Sequence, residues 1–129
     1  MENVEKKNKT IMIVEDDSFV MDIYETKLLG EGHTVVGVSN GMEAVKKLEE
    51  GIFPDIILLD IVMPYMDGLE FLRKIRSEEK YKKIPVILLT NLSQKEDVDM
   101  GLEIGAQDYL IKSQFTPSEV FEKIKKFLE

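Results

Sequence analysis

Five short apolar runs, each followed by a segment of helical period, constrain this chain more than any other feature. They cover residues 10–15, 34–38, 55–60, 85–90 and 107–111 and are rich in Ile, Val and Leu with little polar alternation. A strand with one wet face alternates; a run without alternation suits a strand covered on both faces. The segments between them supply the cover. Val20, Ile23, Tyr24, Lys27 and Leu28 recur at intervals of three and four before Gly30 and Gly32. A second helix is expected over Met42 to Glu50, a third over Leu69 to Glu79 and a fourth from Ser93 to about Ile104, with Gly51 and Gly105 as stops behind the second and fourth. The fifth carries the clearest start: Thr116-Pro117-Ser118-Glu119 offers an N-cap, a proline at the first helical position and a capping-box Glu. Strand then helix, five times over, with right-handed crossovers, predicts a parallel sheet with helices on both faces.

Length and charge narrow the function. With 129 residues, 43% of them hydrophobic, the chain supports one core and one domain. Residues 1–9 are polar and mixed in charge and read as a flexible tail, leaving 10–129 as the domain. No run approaches the roughly 18 apolar residues of a membrane span, and the start lacks a signal-peptide core, so a soluble cytoplasmic protein without membrane insertion is expected. A net charge of −8 opposes direct contact with nucleic acid, and Lys123, Lys125 and Lys126 read as a solvated helix face. The absence of cysteine excludes thiol catalysis, thiolate metal sites and disulfides.

Chemistry gathers where the runs end. The first ends in Glu15-Asp16-Asp17, the third in Asp60, the fourth in Thr90, and Lys112 follows the fifth. In a parallel sheet these positions share the carboxyl edge, where open α/β folds bind ligands. Glu15, Asp16 and Asp60 would repel one another unless a cation and Lys112 relieved them. Oxygen-only donors favour a hard ion, and Mg²⁺ on one or two carboxylates and a phosphoryl oxygen suits the set better than Ca²⁺ or zinc. Asp60 beside such an ion is a candidate nucleophile toward phosphorus, with Thr90 and Lys112 clamping phosphoryl oxygens. Asp17, just outside the pair, reads as the cap of the first helix.

On these residues, Val14-Glu15-Asp16, Leu59-Asp60-Ile61-Val62-Met63-Pro64 with Asp67-Gly68, Thr90, Tyr109 and Lys112, the chain resembles the CheY-like response regulator receiver domain of two-component signalling over about residues 10 to 128. The resemblance implies a flavodoxin-like three-layer sandwich, a five-stranded sheet of order 2-1-3-4-5 with five helices. It implies Asp60 as phosphoacceptor, Lys112 and Thr90 as its catalytic partners, and Mg²⁺ held by Asp16, Asp60 and the Val62 carbonyl, with Glu15 acting largely through water. It makes Thr90 and Tyr109 the switch that alters the helix 4, strand 5, helix 5 surface. The donor would be a sensor histidine kinase or histidine phosphotransfer protein. The product would be a changed surface for a downstream effector or a phosphorylation-dependent homodimer. Chemistry would stop at self-directed phosphotransfer and autodephosphorylation. Because the pattern consumes nearly the whole chain, a single-domain regulator or phosphorelay intermediate without a DNA-binding output domain is expected.

Departures from that pattern set further expectations. Lys112 is followed by Ser113 where receivers usually have proline, and a cis non-proline peptide costs about 2.5 to 4 kcal/mol, so this bond is predicted trans. Asn91 stands where a small residue is common. Val62 and Leu92, both apolar, are expected to hinder an attacking water and slow self-dephosphorylation. His33 lacks an acidic helical context and reads as a surface turn residue, not a phosphohistidine. An aspartyl phosphohydrolase would need a second Asp at the position of Val62. A flavin carrier would need phosphate-binding donors where the first strand runs into acids, and an unphosphorylated binding module would not need the full acidic, hydroxyl and lysine set.

Overall fold

The computed structural model describes residues 8–91 and 94–128. Strands β1 (Thr10–Val14), β2 (Thr34–Val38), β3 (Ile56–Asp60), β4 (Val86–Thr90) and β5 (Asp108–Ile111) alternate with helices α1 (Ser18–Gly30), α2 (Gly41–Glu49), α3 (Gly68–Arg76), α4 (Lys95–Ile104) and α5 (Pro117–Leu128). Every pairing is parallel, and the order is β2-β1-β3-β4-β5. The flavodoxin-like sheet is therefore present. Chain direction across the sheet reverses between β1 and β3, which opens a crevice outside their carboxyl ends.

Strand alternation divides the apolar side chains between two cores. Met12, Val14, Ile57, Leu59, Val86 and Leu88 pack with α2, α3 and Val98 of α4. Ile11, Ile13, Ile56, Leu58, Ile87 and Leu89 pack with residues of α1 and α5. β3 and β4 are buried at every position, whereas the edge strands β2 and β5 keep exposed ones. That contrast explains the missing alternation in the central runs. Burying each such Leu or Ile contributes about 1.5–3 kcal/mol before chain entropy is charged against it.

Helix starts follow their caps. The Asp17 carboxylate accepts the Phe19 and Val20 backbone N–H groups at 2.9 and 3.2 Å, as its short side chain leads one to expect. Thr116 and Glu119 exchange both capping-box bonds at the head of α5. Asp67 and Glu70 do the same for α3. α3 ends at Arg76 rather than reaching Glu79, because Ser77 closes it and the Arg76 guanidinium turns to loop carbonyls beyond. The expected start of the fourth helix at Ser93 lies outside the described residues; α4 runs from Lys95.

Of the expected tail, residues 1–7 lie outside the described residues. Asn8 and Lys9 are tied to the start of β2: the Thr34 hydroxyl donates to Asn8 Oδ1 at 3.0 Å, and the Thr34 N–H to the Lys9 carbonyl at 2.9 Å. His33 is half-buried rather than a bare turn residue. Its Nδ1 accepts the Lys9 N–H at 3.2 Å and its ring lies 5.9 Å from that of Phe121, so it braces the amino-terminal edge. Among the described residues, no helix is long and apolar enough to cross a membrane.

Candidate functional site

Register brings the acids together. Val14 is level with Leu59, Asp60 with Leu89, and Thr90 with Ile111. Glu15, Asp60 and Lys112 thus leave neighbouring strands at one edge. By the two-residue period they continue the α1/α5 side of the sheet, where Ile13, Leu58 and Leu110 lie. Thr90 and Tyr109 continue the opposite side, toward α4.

The centre is an ion cluster. Lys112 Nζ donates to Glu15 Oε1 at 2.7 Å and to Asp60 Oδ2 at 3.1 Å. Glu15 is 2% exposed and Asp60 6%, whereas Asp16 is open to solvent. One carboxylate oxygen from each of Glu15, Asp16 and Asp60 lies within 4.8 Å of the others. Glu15 Oε2 also takes the Asp17 N–H at 3.0 Å, which fixes the loop carrying Asp16. Burial pushes the Asp60 and Glu15 carboxyls above their ordinary values, against the pull of Lys112. For Lys112 burial works to lower the pKa, but its carboxylate partners outweigh it and the ammonium is held more firmly than usual. Two buried acids and an exposed third, with one ammonium among them, form a donor set of oxygens alone with residual negative charge. It fits a hard divalent ion.

The remaining expected residues surround this cluster. Val62 sits two residues past Asp60 in the β3–α3 loop with its side chain 57% exposed. In the same loop Tyr65 takes a left-handed backbone with φ of 65°, a sparsely populated conformation for a non-glycine residue. Lys112 opens a single 3-10 turn, Lys112–Gln114, and its peptide to Ser113 is trans, as expected where proline is missing. Thr90 is 1% exposed. Tyr109 is 40% exposed. With Thr90, Asn91, Lys95, Val98 and Ile111 it borders a groove of about 220 Å³ at the head of α4. Leu92 lies outside the described residues.

Three residues were not singled out from the sequence. Gln94 holds the Thr90 hydroxyl at 2.6 Å. Gly68, seen only as half of Asp67-Gly68, lies so close to β3 that a Cβ there would strike the Asp60 carbonyl oxygen. Its N–H bonds the Ile61 carbonyl at 2.8 Å, so the helix start is pressed against the strand end that bears the acid. The Arg76 guanidinium serves the carbonyls of Ile84 and Gly105 and the Gln107 side chain.

The model of the response regulator receiver domain matches residues 11–125. The chain belongs to that family. This receiver is 36% identical over 121 residues to the alkaline phosphatase synthesis transcriptional regulatory protein PhoP of Bacillus subtilis, a match covering 94% of the chain and 49% of PhoP. The chain thus spans about half the length of the curated relatives it matches. A response regulator from Chloroflexus aurantiacus superposes with a TM-score of 0.86 at 32% identity, covering 95% of this chain and 98% of that one. The receiver domain of a sensor histidine kinase from Pseudomonas aeruginosa, with a magnesium ion coordinated in its active-site cleft, superposes with a TM-score of 0.83 at 30% identity, covering 95% and 98%.

Proposed function

We propose that this receiver, over residues 10–129, is a phosphorylation-driven switch that takes a phosphoryl group onto Asp60 from the phosphohistidine of a sensor kinase or phosphotransfer protein. The observation that carries the reading is the Lys112 ammonium shared between buried Glu15 and Asp60, with Asp16 beside them. A carboxylate oxygen of Asp60 attacks phosphorus, the P–N bond to the donor imidazole breaks with its electron pair going to the ring nitrogen, and the ring leaves as neutral imidazole with a proton taken from water. Lys112 is within reach of the Asp60 oxygen and pairs with the charge that arrives there.

Mg²⁺ would be held by Asp16, Asp60 and the Val62 carbonyl, with Glu15 acting through water, and supplies neutralisation of the phosphoryl oxygens. The chain's own part is to keep Asp60 ionised by Lys112 at the carboxyl edge of the sheet, while Gly68 presses α3 onto the strand end. Thr90 donates its hydroxyl hydrogen to the phosphoryl group. As it is drawn in, Tyr109 turns into the groove at the head of α4, and the α4, β5, α5 face changes for a downstream effector or a second receiver. Its own chemistry ends with loss of the phosphoryl group to water. The partner is a protein rather than nucleic acid at this face, as the net charge of −8 favours.

The test is intact-mass spectrometry after incubation with acetyl phosphate and Mg²⁺, beside an EDTA control and Asp60→Asn. One metal-dependent phosphoryl addition, absent from the variant, is expected. An unmodified wild-type chain that is folded would overturn the reading.

A further inference from the structure

Thr90 has one hydroxyl hydrogen, and it is already engaged. Oε1 of Gln94 lies 2.6 Å from Thr90 Oγ1, while the Asn91 carbonyl, the other acceptor in reach, is at 3.2 Å. The same Oε1 accepts the Asn91 backbone N–H at 2.9 Å. That second bond orients the amide: a backbone N–H can only donate, so the carbonyl side of the Gln94 carboxamide must face β4. Gln94 stands at the N-cap position of α4 yet gives its helix no side-chain cap. Its oxygen is spent on the strand instead.

The two donors it holds stand just past the residue of β4 that is level with Asp60. Asp60 is level with Leu89, so Thr90 and Asn91 are the next two residues along the neighbouring strand. A phosphoryl group arrives with oxygens in need of donors. In the unmodified chain no buried side-chain polar atom among the described residues lacks a partner, so this edge is closed before phosphorylation.

Resting on the reading of Asp60 as acceptor, we propose that Gln94 is a positioning residue acting through Thr90. Its carboxamide oxygen stands in for a phosphoryl oxygen, holding the Thr90 hydroxyl and the Asn91 N–H until a phosphoryl oxygen displaces it. Activation is then an exchange of one acceptor for another, which leaves no donor unpaired at either end and sets a threshold for the switch. Lys95 and Val98 of α4 border the groove beside Tyr109, so release of Gln94 frees the first turn of the helix that must move.

The test uses beryllium fluoride with Mg²⁺ as a non-covalent phosphoryl analogue on the full chain, followed by amide NMR. Gln94→Leu keeps the size but removes the acceptor, and lowers the half-saturating fluoroberyllate concentration about two- to tenfold, the range set by one net hydrogen bond. Gln94→Glu strengthens the acceptor and raises it. In a Thr90→Val background the effect of Gln94→Leu shrinks, since one of the two donors is gone. A merely structural Gln94 would give the same loss of affinity in both variants, tracking their melting temperatures. Unchanged or weaker binding in folded Gln94→Leu, with wild type still binding, overturns the latch alone. No binding by wild type and no acetyl phosphate adduct overturns the Asp60 reading, and the latch with it.

Discussion

At the amino-terminal edge of the sheet a cation, Arg76, is ringed by neutral acceptors, whereas at the carboxyl edge a cation, Lys112, stands among carboxylates that exceed its charge. Arg76 Nη2 donates to the Ile84 carbonyl at 2.8 Å, the Gly105 carbonyl at 2.9 Å and Gln107 Oε1 at 3.1 Å, and Gln107 Oε1 also takes the Val86 N–H at 2.8 Å. The Arg76 bonds tie the loops entering β4 and β5 to α3, and the Val86 bond ties those two segments to each other. The carboxyl edge instead keeps Glu15 and Asp60 buried with raised pKa values and Asp16 close by. One edge is organised for stability; the other holds mutual repulsion ready for a ligand to relieve.

The largest effect is expected from Asp60→Asn. It abolishes phosphoryl addition, and in EDTA at neutral pH it raises the melting temperature by several degrees, about 1 kcal/mol being worth about 4 °C at this size. The sign follows from linkage. Burial raises the Asp60 carboxyl in the folded state, so the stability linked to its proton is present in acid and lost as pH climbs through that raised value. The variant's advantage therefore shrinks as pH falls toward the ordinary carboxylate range. Adding Mg²⁺ stabilises wild type more than the variant. A variant less stable than wild type in EDTA would show that the carboxyl edge is not held under repulsion.

Arg76→Ala is expected to act in the opposite sense, lowering stability by about 2–4 kcal/mol because carbonyls lose charged donors. Phosphoryl addition per folded molecule stays unchanged. Denaturant unfolding beside intact-mass labelling separates the two. A labelling defect at full folding would mean that the two edges are coupled.

How much of this was legible depends on which physics the residues express. Unalternating runs at 55–60 and 85–90 suited doubly covered strands, and the acids, Thr90 and Lys112 were readable because parallel strands must end at a common edge. Thr116-Pro117-Ser118-Glu119 named its helix start because a cap is local chemistry. Arg76, Gln94 and His33 were not legible in their roles. Each makes its contact across the fold or into a neighbouring loop, and nothing in a charge on a helix face, an amide before a helix or a His after a Gly states which carbonyl, hydroxyl or N–H will meet it. The end of α3 was overrun for the same reason, since periodicity continues to Glu79 while Arg76 and Ser77 turn to loop partners.

Gly68→Ala tests whether the acidic edge depends on close packing behind it. The added Cβ meets the Asp60 carbonyl, a backbone atom that cannot rotate away, so α3 or the strand end must shift. A loss of about 1–3 kcal/mol is expected, as for other overpacked positions. Unlike Arg76→Ala, it is also expected to slow acetyl phosphate labelling, because the displaced atoms belong to the proposed acceptor. Labelling at the wild-type rate would show that Asp60 is placed by Lys112 alone.

The smallest effect is expected from Val62→Asn. Val62 is apolar, exposed and two residues past Asp60, so it offers no hydrogen bond to a water approaching the phosphoryl group. An amide there can orient that water, and a single positioned hydrogen bond of about 0.5–1.5 kcal/mol speeds loss of the phosphoryl group about two- to tenfold. The measurement is the decay of labelled protein after removal of the donor. Since the side chain is in solvent, the melting temperature should move little. The substitution thus changes how long the repulsion at this edge stays relieved without changing the edge itself. Rapid decay in wild type, unaltered by the asparagine, would assign the lifetime to another residue of the rim.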